Sequence, residues 1–127
     1  MTRRILIVDD DEDVRVLLAR ALDKGGLDIE VASAVDGQDA LEGIAAGVPH
    51  ALITDVMMPR MNGLELCAAV RTAPATAHLP IIIVSALDGA DDRAAGLAAG
   101  ADAYFTKPFL WRELTERLAL LLRERYG

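Results

Sequence analysis

The sequence is short of most of what marks a secreted, membrane-spanning or nucleic-acid-binding protein. It holds one cysteine, Cys67, in 127 residues, so no disulfide can close within the chain and a reducing compartment is expected. Cys67 lies among Leu64, Leu66, Ala68 and Val70 and reads as a small buried hydrophobe. No apolar run approaches the ~18 residues of a membrane-spanning helix. Nor does the start resemble a secretion signal, because Arg3-Arg4 leads only to the short run from Ile5 to Val8 before acids begin. Basic residues are scarce, 13 Lys plus Arg against 20 Asp plus Glu for a net charge of −7. Phosphate neutralisation needs a broad basic face, so no direct nucleic-acid binding is expected. Aromatics make up 4% of the chain. His50 and His78 fall at a strand entrance and in a loop, and both read as structural or solvated. These absences leave a cytoplasmic, acidic chain with no membrane attachment.

What is present is aliphatic. Hydrophobic residues are 53% of the sequence, enough for a single-domain core at this length. Five short apolar runs occur at residues 5–8, 28–34, 51–54, 80–86 and 103–106. The β-branched content of the first and fourth favours strands. Their near-continuous apolar character predicts burial on both faces, as in a parallel sheet. Between them lie five helical patterns. Residues 13–24 carry Val14, Leu17, Leu18, Ala21 and Leu22 on one face and stop at Gly25-Gly26. Residues 36–46 open on Asp36 as N-cap. Residues 64–71 follow Asn62-Gly63. Residues 91–99 are alanine-rich and the least firmly held. Residues 110–125 align Leu110, Leu114, Leu118, Leu121 and Leu122 in a stripe. Strict alternation predicts an α/β fold, a three-layer sandwich with right-handed crossovers. No linker or repeat divides residues 1–127, so one domain is expected, with no output domain in the chain.

In open sheets of this kind, sites form beyond the carboxyl ends of the strands. Asp9 and Asp10, Asp55, Ser85 and Lys107 each sit at such an end. Three carboxylates brought together repel unless a cation or proton intervenes. An all-oxygen cluster suits Mg²⁺, with the backbone carbonyl of Met57 as a further ligand. An aspartate beside Mg²⁺ and a lysine is the arrangement a carboxylate nucleophile needs in phosphoryl transfer. Asp11, Glu12 and Asp13 read instead as helix capping. Pro108 leaves the isomer of the Lys107–Pro108 bond open.

The runs Ile5-Leu6-Ile7-Val8-Asp9-Asp10, Asp55-Val56-Met57-Met58-Pro59 with Gly63, Ser85-Ala86, and Tyr104-Phe105-Thr106-Lys107-Pro108-Phe109 resemble the receiver domain of bacterial two-component response regulators. The resemblance covers the whole chain in order. It implies a flavodoxin-like doubly wound (βα)5 fold with strand order 2-1-3-4-5. It implies that Asp55 accepts a phosphoryl group from a histidine kinase, a histidine phosphotransfer protein or a small phosphodonor. Asp10 then matches the direct Mg²⁺ ligand, Asp9 the residue holding metal-bound water, and Met57 the backbone ligand, with Mn²⁺ as an alternative ion. Lys107 matches the lysine that pairs with the phosphoryl oxygen, Ser85 the switch hydroxyl, and Tyr104 the aromatic that turns inward. Such a domain is not an enzyme beyond its own phosphorylation and dephosphorylation. Met57 and Leu87 match positions that tune phosphoryl lifetime, and both are apolar, which implies slow self-dephosphorylation.

The implied output is the face of the fourth helix, fifth strand and last helix, carrying Arg93, Leu97, Arg112, Glu113 and Arg117. Its partner is a downstream protein, a fused output domain or a second copy in a phosphorylation-dependent homodimer. Arg93, Glu113 and Arg117 are similar to charges paired across dimers of receivers fused to winged-helix domains, and Ala103 departs from that pattern. Trp111 reads either as a staple onto the fold or as a partner anchor. Two competing readings are a dehalogenase-like phosphatase built on Asp9-Asp10-Asp11 and a degenerate receiver used as a scaffold. The first leaves Asp55 without a role, and the second has all five site residues against it.

Overall fold

The structure is a computed structural model and describes residues 2–127. Five strands and five helices alternate: β1 Arg3–Val8, α1 Glu12–Lys24, β2 Ile29–Ala34, α2 Gly37–Ala46, β3 Ala51–Thr54, α3 Gly63–Thr72, β4 Ile81–Ser85, α4 Ala90–Ala99, β5 Ala103–Thr106 and α5 Trp111–Tyr126. The strands form one parallel sheet in the order β2-β1-β3-β4-β5, as the sequence implied. No helix among the described residues is long and apolar enough to cross a membrane.

The sheet is buried on both faces because its central strands are apolar at odd and even positions alike. Ile5, Ile7, Ala51, Ile53, Ile82 and Val84 pack with Leu18, Leu22, Leu114 and Leu118 of α1 and α5. Leu6, Val8, Leu52, Ile81 and Ile83 pack on the other face with Ala40, Ile44, Leu66, Cys67 and Val70 of α2 and α3. Cys67 is fully buried, and burial pushes its thiol up to about 11, which bears out its reading as an inert hydrophobe. On α4 only Gly96 is buried, in keeping with a weakly held helix.

The helices begin where their caps are. Asp11 accepts from the Asp13 N–H, Asp36 from the Asp39 N–H, and Asn62 with Glu65 closes a reciprocal pair at the start of α3. β4 starts at Ile81 and not at Pro80, which has no N–H to give a ladder. Two apolar assignments are corrected. Leu110 lies outside the stripe of α5: it is the N-cap residue and 65% exposed. Leu17 is 56% exposed because α1 turns Leu18, Ala21 and Leu22 to the sheet.

The N-terminal edge of the sheet is tied by polar groups. Asp102, just before β5, accepts from Arg71 of α3 at 3.0 Å, from Arg125 of α5 at 2.9 Å and from the Ile81 N–H at 2.8 Å. Arg71 also donates to the carbonyls of Gly100, Ala77 and Leu79. His50 accepts the Arg4 N–H on Nδ1 at 2.9 Å, while the Tyr126 hydroxyl donates to the His50 carbonyl at 2.7 Å. His78 is exposed and meets the Tyr126 ring edge-on. Both histidines are therefore structural or solvated, as the sequence suggested.

Candidate functional site

At the opposite, C-terminal edge the chain leaves each strand one residue beyond the ladder and stays in register. Asp9 N–H donates to Ala34 O at 3.1 Å, Asp55 N–H to Val8 O at 3.0 Å, and Lys107 N–H to Ser85 O at 2.8 Å. The strand ends are thus held to their neighbours, and the side chains that follow β1, β3 and β5 converge. Carboxylate oxygens of Asp9, Asp10 and Asp55 lie within 4.8 Å of one another. The Lys107 ammonium donates to Asp9 Oδ2 at 3.1 Å and to Asp55 Oδ2 at 3.2 Å. The other oxygens are held by backbone: Asp9 Oδ1 accepts from Asp11 N–H at 2.9 Å, and Asp55 Oδ1 from Val56 N–H at 2.7 Å. The turn after Asp55 needs glycine at position 63, where a Cβ would overlap the Asp55 carbonyl. The Lys107–Pro108 bond is cis.

The electrostatics are those of an over-acidic site. Asp9 is 1% exposed. Burial pushes its carboxyl above the ordinary carboxylate value, the Asp11 N–H and Lys107 pull it partly back, and the charge of Asp55 adds to the rise. Burial alone would lower Lys107. Its hydrogen bond to Asp9 and the charges of Asp55 and Asp9 outweigh that and hold the ammonium above its usual range. Lys107 therefore pairs with two of the three clustered carboxylates, Asp9 and Asp55. The donor set is all oxygen, which fits a hard divalent cation such as Mg²⁺. Asp10 is exposed and lines a cavity of about 410 Å³ with Val56, Met57, Met58, Pro59 and Asn62, so Met57 stands on the same wall as Asp10. The Met57 side chain is 63% exposed.

Ser85 is buried at the end of β4, and its Oγ accepts the Leu87 N–H at 3.2 Å. Tyr104 is 6% exposed, turned inward beneath α4. Trp111 is half-buried, with the cations of Lys24 and Arg112 over its ring at 5.1 and 5.2 Å. It lines a groove with Val14, Leu17 and Phe109, so it is neither a core residue nor a bare surface aromatic. Arg117 turns to the Asp102 carbonyl at 3.0 Å.

Three site contacts escaped sequence reasoning. Arg15 of α1 donates to the Asp9 carbonyl at 2.7 Å and pins the end of β1 from the helix side. Arg60, at φ 63°, holds the capping carboxylate of Asp36 through Nε at 2.8 Å and Nη2 at 3.1 Å. Arg93 reaches the Tyr104 carbonyl at 2.9 Å. For Arg15 a signal existed, since a cation six residues after Asp9 returns to the strand end once α1 starts at Glu12. The other two depend on loop shape.

Comparison with known proteins places this geometry in a family. The chain matches the family model of the response regulator receiver domain over residues 5–119. It is 49% identical over 123 residues to the response regulator MprA of Mycobacterium ulcerans (strain Agy99), an alignment covering 97% of this chain and 51% of that protein. The chain thus spans about half the length of the curated relatives it matches. Among solved structures it resembles a chain from Chloroflexus aurantiacus J-10-fl described as a response regulator, with a TM-score of 0.91 at 39% identity, covering 97% of this chain and 99% of that one. It also resembles the chemotaxis response regulator CheY4 of Vibrio cholerae, with a TM-score of 0.85 at 29% identity, covering 95% and 99%.

Proposed function

This chain belongs to the response regulator receiver domain family of two-component systems, and on that premise we propose that it is a phosphorylation-activated switch whose phosphoacceptor is Asp55. The family match sets aside the dehalogenase-like phosphatase. The observation that carries the proposal is the Lys107 ammonium shared between Asp9 and Asp55 inside an over-acidic strand-end cluster. A carboxylate oxygen of Asp55 attacks the phosphorus of a phosphohistidine on a kinase or phosphotransfer protein, or of a small acyl phosphate. The new P–O bond forms as the P–N or P–O bond of the donor breaks, and the donor leaves with the electron pair. Lys107 exchanges its bond to Asp55 Oδ2 for one to a transferred phosphoryl oxygen. Asp10, Asp55 and the Met57 carbonyl would hold Mg²⁺ or Mn²⁺, with Asp9 placed to accept from a water of that ion, which would supply positive charge for the transferring phosphoryl group. Ser85 then turns to the phosphoryl group, and the surface of α4, β5 and α5 presents the change to a downstream protein, an output domain or a second copy.

Neither Met57 nor Leu87 can orient a hydrolytic water by hydrogen bonding, so the phosphoryl group is expected to be long-lived. The test is Mg²⁺-dependent labelling with acetyl phosphate, read by intact mass and by sizing chromatography. Wild type gains one phosphoryl group and Asp55→Asn gains none. A mutant that labels as readily as wild type would overturn the assignment.

A further inference from the structure

Tyr104 sits in a seat to which α4, β4 and the loop between them contribute. Its hydroxyl donates to the Leu87 carbonyl at 2.7 Å. Arg93 lays its guanidinium over the ring, Cζ 5.2 Å from the centroid, while its Nη1 donates to the Tyr104 carbonyl at 2.9 Å. Three residues on, beneath the same ring, lies Gly96. A Cβ there would stand 2.8 Å from Tyr104 Cδ2 and 3.0 Å from Ile83 Cδ1, closer than packed atoms approach without shifting. Glycine weakens a helix interior, and α4 has only this residue buried. The position is explained by the room it leaves for the ring.

The seat is linked to Ser85 through one residue. Leu87 N–H donates to Ser85 Oγ at 3.2 Å, and the Leu87 carbonyl receives the Tyr104 hydroxyl. If Ser85 turns away from Leu87, it frees one side of a residue whose other side is tied to the ring.

We propose that Arg93 and Gly96 are positioning residues for Tyr104: Gly96 makes the space, Arg93 latches the ring into it, and α4 thereby sets how much of the resting protein already holds the inward packing. The proposal rests on the Asp55 and Ser85 reading above and adds a residue-level control to it. Coupling between sites is reciprocal. A latch that favours the inward ring therefore favours phosphorylation of Asp55, although Arg93 touches nothing in the acidic cluster.

The test is nuclear Overhauser contact, in the unphosphorylated full chain, between the Tyr104 ring and the Gly96 Hα and Ile83 δ-methyl protons. Only one other tyrosine, Tyr126, is present, and it lies at the far edge of the sheet. The contacts are expected in wild type and are lost in Gly96→Ala. Arg93 is exposed, so Arg93→Ala folds whether or not the Gly96 variant does. In it the contacts weaken, and the ratio of labelled to unlabelled chain at the acetyl phosphate plateau falls about five- to tenfold, the size expected from losing one cation–π contact and one hydrogen bond. Arg93→Lys keeps a cation over the ring and recovers part of both signals. Absence of the contacts in wild type, or full contacts and full labelling in Arg93→Ala, overturns the latch. A wild type that shows the contacts but takes no phosphoryl group refutes the Asp55 reading, and with it the coupling but not the seat.

Discussion

At the N-terminal edge of the sheet one carboxylate, Asp102, is shared by two guanidiniums. At the C-terminal edge three carboxylates cluster around one ammonium that pairs with two of them, Asp9 and Asp55. In the first place the polar groups are matched: Arg71 and Arg125 also donate to the carbonyls of Gly100, Ala77, Leu79 and His78, and Asp102 closes the start of β4 through Ile81. In the second, burial first and then the charge of Asp55 push Asp9 up, while Asp10 lies exposed. One edge is balanced and holds the helices to the sheet. The other carries more carboxylate than cation. The two edges differ in charge balance, which burial alone does not reveal.

The comparison breaks if the two edges respond alike to losing an acid. Asp102→Ala strands Arg71 and leaves the Ile81 N–H without its partner. It is expected to cost about 3 kcal/mol in urea unfolding at pH 7, whereas Asp10→Asn costs nothing in Mg²⁺-free buffer because it relieves repulsion. A loss above about 1 kcal/mol for Asp10→Asn would show that the C-terminal edge is not over-acidic.

Lys107→Met tests the single ammonium and should cost about 1–2 kcal/mol at pH 7. The folded-state value of Lys107 is raised above 10.5. Its contribution is therefore fully present below pH 10.5 and disappears as pH rises through the folded value. Unfolding compared at pH 7 and above pH 11 should show the difference from wild type shrinking at the higher pH. A constant difference would mean that Lys107 acts by packing and not by charge.

Mg²⁺ should separate the edges again. It raises the wild-type thermal midpoint by the equivalent of about 1.4 kcal/mol at ten times its dissociation constant. Asp10→Asn should abolish the rise, and Asp102→Ala should leave it intact relative to that variant's own baseline. Retention of the full Mg²⁺ effect in Asp10→Asn would place the ion elsewhere.

The smallest effect lies at the balanced edge. His50 is held below its usual value by burial first and then by the charges of Arg3 and Arg4. The unfolded chain therefore binds its proton before the folded one does, and stability falls as pH drops below 6.5. The loss should stay under about 1 kcal/mol for this half-buried ring. His50→Gln should flatten that part of the acid branch in a urea titration between pH 7 and 5, and an unchanged branch would clear His50 of the effect.

Much of the site was readable before the structure because each part is announced locally. The β-branched run Ile81-Ile82-Ile83-Val84 favours a buried strand, and the polar residue that ends it stands at the sheet edge. Asp9, Asp55, Ser85 and Lys107 were found in that way. Arg15, Arg60, the contact of Arg93 with Tyr104 and the Arg71–Asp102–Arg125 group were not, since long cationic side chains carry no periodicity and their partners come from distant loops and carbonyls. The apolar stripes misled twice, at Leu110 and Leu17, because spacing names a helix face without saying how far the helix is rotated or where it starts.

By itself, the sequence determined the alternation of strands and helices, the doubly buried sheet and the acids and lysine at its edge, because apolar pattern and strand termini are properties of neighbouring residues. Only the tertiary structure decided that Lys107 bridges Asp9 and Asp55, that Tyr104 lies inward over Gly96, and that Asp102 locks the far edge. Those contacts join residues up to 98 positions apart, and such pairings exist only once the core has set the strands side by side.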